Sequence, residues 1–110
     1  MVIKEENGAV IVTPSGKLDT ISAPDFNQAL LEVLSKKPKV CIVDLSNISF
    51  LSSSGLQALL VGAKTSKNSE IAFKICGMNK MVEDVFILSG FDKFIDFYSD
   101  VQSALKDEMS

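Results

Sequence analysis

The sequence predicts an α/β domain: a small mixed β-sheet packed with about four α-helices. Three observations predict it. Short β-branched apolar runs alternate with segments whose apolar residues recur at helical spacing. One run, residues 40–45 (VCIVDL), is nearly continuous, so it reads as a strand covered on both faces. Asn7-Gly8 between two short strands marks an opening hairpin, which breaks strict strand–helix alternation. With 110 residues, 46% of them apolar, the chain suits one domain, residues 1–110, with a real core.

Taken in order, Val2–Glu6 is a weak first strand and Ala9–Thr13 (AVIVT) a strong second one. Pro14-Ser15-Gly16 ends it. Ser22 is placed to cap a helix whose second position is Pro24, where a first turn tolerates proline. Phe26, Ala29, Leu30, Val33 and Leu34 trace one buried face, and Pro38 stops the helix. After the strand at 40–45, residues 46–51 read as a connection. A second helix begins near Ser53, with Leu56, Leu59, Leu60 and Ala63 as its stripe and Asn68 as its stop. Residues 71–75 (IAFKI) form a further strand, broken by Gly77. A third helix covers Lys80–Leu88, with Val82, Val85 and Phe86 inward and Gly90 past its end. Residues 94–97 read as a short last strand. Ser99 or Asp100 then caps a final helix carrying Val101, Ala104 and Leu105.

Composition narrows the chemistry. The chain has no histidine, which removes the Ser-His-Asp triad, the Cys-His pair and imidazole metal ligands. No GxxxxGK[ST], GxGxxG or CxxC pattern occurs. The expectation is a protein with no catalytic residues, no metal and no cofactor. Eleven basic against 14 acidic residues give a net charge of −3, and the lysines are scattered, so nucleic acid is not an expected partner. Lys36, Lys37 and Lys39 form the densest group, at a helix end that favours cations. Cys41 and Cys76 lie in apolar runs and read as buried, reduced thiols, which suits the cytoplasm. Residues 1–7 are charged, so no leader is expected, and no apolar run approaches the ~20 residues of a membrane span.

Residues 44–60 read DLSNISFLSSSGLQALL, passing from a buried strand through a polar connection to a helix start. Ser52, Ser53 and Ser54 stand at that start. An N-cap accounts for one of them. A phosphate on a hydroxyl there would meet unpaired backbone N–H groups and the positive end of the helix dipole. Gly55 is expected to leave the backbone open to close approach. Helical spacing puts Gln57, Val61 and Lys64 on a stripe away from Leu56, Leu59 and Leu60, unless a neighbouring helix covers Val61. Asp19 also has a plain reading as a loop or cap residue, and Asp44 as a strand end.

This segment resembles the phosphorylation motif of the anti-sigma factor antagonists, the small single-domain members of the STAS family. Their pattern is a buried strand ending D-L-S, a hydrophobic pair, then D-S-[S/A]-G-L opening a helix. Asp44-Leu45-Ser46, Phe50-Leu51 and Ser52-Ser53-Ser54-Gly55-Leu56 stand at those places. Gly16-Lys17-Leu18-Asp19 stands where the family carries G-x-[L/I]-D. One departure is that Ser52 occupies the place of an Asp. The order of elements matches over essentially the whole chain.

The resemblance implies a STAS-like fold and a switch that is not an enzyme. The unmodified form would bind an anti-sigma factor that is also a serine kinase, carrying its own ATP, and so free a sigma factor. Phosphorylation would break the complex, and a serine phosphatase would restore it. The motif maps the phosphoacceptor onto Ser53, two before the glycine, with Ser54 and Ser52 as alternatives. Together with the outer stripe of the second helix, it implies a partner surface of Asp19, Thr20, Ser52, Ser53, Ser54, Gly55, Gln57 and Val61. Within the same family, a subunit regulating a transporter or lipid-transport complex needs no phosphorylation. A phosphoaspartate receiver shares the architecture, but neither Pro14-Ser15-Gly16 nor residues 97–99 supply its acidic pair and lysine.

Overall fold

The computed structural model describes residues 1–107. In chain order these form β1 (Val2–Glu6), β2 (Ala9–Thr13), β3 (Gly16–Leu18), α1 (Ala23–Ser35), β4 (Val40–Asp44) and β5 (Ile48–Leu51). There follow α2 (Ser53–Asn68), β6 (Ala72–Cys76), α3 (Lys80–Leu88), a 3-10 turn (Phe91–Lys93), β7 (Asp96–Tyr98) and α4 (Val101–Lys106). The main sheet has five strands in the order β1-β2-β4-β6-β7. β1 and β2 are antiparallel, and the other three pairings are parallel, so the sheet is mixed as expected. Asn7 (φ 52°) and Gly8 (φ 85°) both turn left-handed, the conformation that a two-residue hairpin needs.

The strand pleat divides the apolar residues between two faces. Val12, Cys41, Val43 and Ile75 meet Phe26, Leu30, Leu59, Val82 and Phe86 from α1, α2 and α3. Ile11, Ile42 and Cys76 point the other way, against Ala104 of α4. The central strand β4 is therefore buried on both sides, which is why its sequence reads as a nearly continuous apolar run. Lys74, only 2% exposed, crosses to the α4 side. Its ammonium donates to the carbonyls of Ala104 (2.8 Å) and Asp107 and lies 5.4 Å from the Tyr98 ring centroid. It thereby holds the C-terminal end of α4, where carbonyls lack helical partners. Burial pushes the Cys41 thiol up to about 12, and burial followed by the charge of Asp44 does the same for Cys76. Both are free, buried thiols.

The structure corrects the sequence reading in four places. The connection at 46–51 contains β5, and the chain after Pro14 re-enters as β3; these two pair in parallel as a separate sheet. The last strand is Asp96–Tyr98, because Phe94 closes the 3-10 turn and stands 74% exposed. The strand expected at 71–75 is shifted by one, to Ala72–Cys76. Ser22 sits at the N-cap of α1 but makes no side-chain cap bond; its hydroxyl is turned back to the carbonyl of Lys17. Asp100 is the residue that caps α4, accepting from the Ser103 amide at 2.8 Å.

Candidate functional site

The small β3–β5 sheet carries the candidate site, because the loops leaving its two strands meet. Leu18, the last residue of β3, accepts both the backbone N–H of Ser52 (2.9 Å) and its hydroxyl (3.1 Å). That hydroxyl in turn accepts the Gly55 amide at 3.3 Å, so Ser52 is the N-cap of α2. The serine that stands in place of the family Asp thus caps α2 in this chain. Gly55 does not present open backbone, contrary to expectation. It is buried, and a Cβ there would lie 2.7 Å from the Leu18 carbonyl oxygen and 2.8 Å from Leu51 Cδ1. Glycine lets α2 approach β3 this closely.

The three serines are thus unlike one another. Ser52 is engaged by Leu18 and Gly55. Ser54 is half-buried, its Oγ 3.3 Å from Thr20 Oγ1. Ser53, the first residue of α2, is exposed, and its hydroxyl has no partner among the described residues. The amides of Ser53 and Ser54 find no acceptor among the described residues, as at any helix N-terminus.

Asp19 lies in the β3–α1 loop and folds it. Its Oδ1 accepts the amides of Ile21 (3.0 Å) and Ser22 (3.1 Å), while its own amide donates to Ser22 Oγ (3.1 Å). The Ser22 amide is the main reason its carboxyl lies below the usual carboxylate value. The closed turn projects exposed Thr20 toward Ser54. Asp44 ends β4 and accepts the Ser46 amide at 3.0 Å.

Gln57 and Val61 are both exposed, Val61 by 39%, so no neighbouring helix covers them. They line a shallow groove of about 390 Å³ with Ala23, Pro24 and Asn27 of α1 and Ala58 of α2, below Thr20 and Ser54. The α1 residues were not singled out from the sequence as a surface; Pro24 read only as a first-turn helix position. Ile21, 88% exposed in the same loop, was also missed. An apolar residue inside a polar loop, between Thr20 and Ser22, was the available signal. Among the described residues no group of acidic, histidine or cysteine side chains is arranged to hold a metal. No helix in that range is long and apolar enough to cross a membrane.

The geometry defines an α/β domain that offers hydroxyls of graded exposure at a helix N-terminus beside an exposed loop folded by Asp19. The chain belongs to the STAS domain family, whose family model matches residues 1–104. It is 26% identical over 105 residues to an anti-sigma-F factor antagonist of Mycobacterium tuberculosis, covering 96% of this chain and 85% of that one. The crystal structure of an anti-sigma factor antagonist from Mycobacterium paratuberculosis superposes with a TM-score of 0.88 at 27% identity, covering 94% of this chain and 88% of that one. An anti-sigma factor antagonist solved in its unphosphorylated form has a TM-score of 0.79 at 16% identity, covering 94% and 91%; that likeness is one of fold.

Proposed function

We propose that this chain is an anti-sigma factor antagonist switched by phosphorylation of Ser53. The observation that carries the reading is the contrast among three adjacent serines: only the Ser53 hydroxyl is both exposed and unpartnered among the described residues. The unmodified form docks on an anti-sigma factor serine kinase through Thr20, Ser53, Ser54, Gln57 and Val61, and a sigma factor is released. Asp19 shapes that surface from behind, and Ser52 and Gly55 hold the helix end in place. ATP enters with the kinase, and a serine phosphatase reverses the mark. The whole exchange takes place in the cytoplasm, with 1–110 acting as one domain.

Magnitudes indicate how the switch acts. A phosphate adds about −1.5 to −2 charge at neutral pH. At the N-terminus of α2 it is locally favourable by ~0.3–1 kcal/mol. The domain therefore stays folded, and the effect falls on the docked surface. Forcing that charge into a packed or acidic interface costs several kcal/mol, and about 3 kcal/mol weakens binding roughly a hundredfold.

The test uses the purified chain, its anti-sigma factor kinase and ATP. Peptide mass spectrometry is expected to find one phosphate, on Ser53, and Ser53→Asp to weaken the complex about a hundredfold with an unchanged melting temperature. Phosphate on Ser52 or Ser54 would overturn the assignment. A large loss of melting temperature in Ser53→Asp would overturn the exclusion mechanism.

A further inference from the structure

At the other end of α2 lies a second concave surface, and we propose that it binds a small amphiphilic anion: an aliphatic chain ending in a carboxylate or phosphate. The groove measures about 730 Å³, within the ~300–1,000 Å³ common for small-ligand sites. Leu60 and Ala63 of α2, Phe73 of β6 and Phe91 of the 3-10 turn form its apolar wall. Phe94, also lining it, is 74% exposed, an unusual setting for an aromatic ring.

Charge selects the head group. Lys64, Lys67 and Lys93 border the groove with one carboxylate, Asp96. The chain as a whole has more acidic than basic residues, 14 against 11, so this is a local reversal of sign. None of the three lysines is in an ion pair; among the described residues that role falls to Lys80 with Asp84. The lining also contains no Ser, Thr, Asn, Gln or Tyr. Apart from the bordering lysines and Asp96, no side chain there can hydrogen-bond the edges of a base or a sugar, whereas a hydrocarbon chain needs no such partners. Ser53 and Lys67 are 14 residues apart on α2, or ~21 Å at 1.5 Å per residue. The groove is therefore a separate site, independent of the antagonist reading.

The probe is decanoate, kept monomeric and added to the isotope-labelled full chain, with amide shifts followed by NMR. Saturable shifts at Ala63, Lys67, Phe91 and Phe94 with Kd below ~1 mM are expected. Lys67→Gln with Lys93→Gln, both exposed positions, should retain the amide dispersion of the folded chain. The pair is expected to weaken decanoate at least tenfold and leave the weaker binding of decanol unchanged. Ala63→Trp, which fills the groove, should abolish both. The proposal is overturned if no groove amide moves, if shifts centre on Asp19 and Ser53, or if decanol binds as well as decanoate. It is equally overturned if the chain sediments with phosphatidylglycerol vesicles yet ignores monomeric decanoate, since the ligand would then be a membrane surface.

Discussion

The five-stranded sheet and the two-stranded β3–β5 sheet are held together in opposite ways. In the first, β4 is apolar from Val40 to Val43 and buried on both faces by α1, α2, α3 and α4. In the second, only Leu18, Ile48 and Leu51 point inward, while Lys17, Ser49 and Phe50 are exposed. Its register also shifts between Gly16 and Lys17. What fixes it is polar and specific: two bonds to one Leu18 carbonyl, and a glycine at which any Cβ would crowd β3. The large sheet supplies stability, and the small one supplies the geometry of the serine-bearing end of α2. Surfaces that must engage and release a partner are commonly drawn from the less stable part of a fold.

The largest expected effect lies in the large sheet. Phe86 is fully buried and packs edge-on against Phe97, with ring centroids 5.5 Å apart. Phe86→Ala should cost ~3–5 kcal/mol, read as a lower urea midpoint for the whole chain. Gly55→Ala should cost ~1–3 kcal/mol by overpacking against the Leu18 carbonyl. Its signature should be local: amides of β3, β5 and the first turn of α2 gain hydrogen exchange while those of β4 and β6 stay protected. Equal loss of protection in both sheets would break the comparison.

The same contrast decides what the sequence revealed. β2, β4, α1 and α3 announce themselves through periodicity and β-branched runs, which are local signals produced by burial. β3 and β5 hold three and four residues, and each is completed only by a partner about thirty positions away. No window along the chain contains that pairing. The motif around Ser53 was legible as a pattern of residue types. That one of the serines caps was legible, because the bond from Ser52 to the Gly55 amide is local; that Ser54 bonds to Thr20 and Gly55 packs against Leu18 was not, because both depend on β3 and its loop coming alongside.

Ser52→Ala removes a cap and a bond to Leu18 together, and should cost ~1 kcal/mol. Ser52→Asp is the sharper probe. The carboxylate can still accept the Gly55 amide but cannot donate to the Leu18 carbonyl. Stability is expected to lie between wild type and Ser52→Ala in thermal melts. A value equal to Ser52→Ala would show that the bond to Leu18, and not the cap, is the main contribution of this side chain, and a value below it that the carboxylate is repelled by the Leu18 carbonyl.

The smallest effect is confined to the β3–α1 loop and depends on pH. Asp19 has its pKa lowered from 3.8, first by the Ser22 amide and further by that of Ile21. A folded value below the unfolded one stabilises the turn above pH 3.8, and this is lost as the pH falls through the lower folded value. Acid should therefore loosen the turn that holds Thr20 against Ser54, with the Ile21 and Ser22 amides moving upfield as their acceptor is protonated. Asp19→Asn keeps an oxygen acceptor but no charge, so it should preserve the turn at neutral pH and abolish the titration. If the strands of the large sheet titrate along with the loop in an NMR pH series, the two sheets are coupled more tightly than their contacts imply. If only the loop responds, the β3–α1 turn beside Ser54 can change its shape on a scaffold that does not.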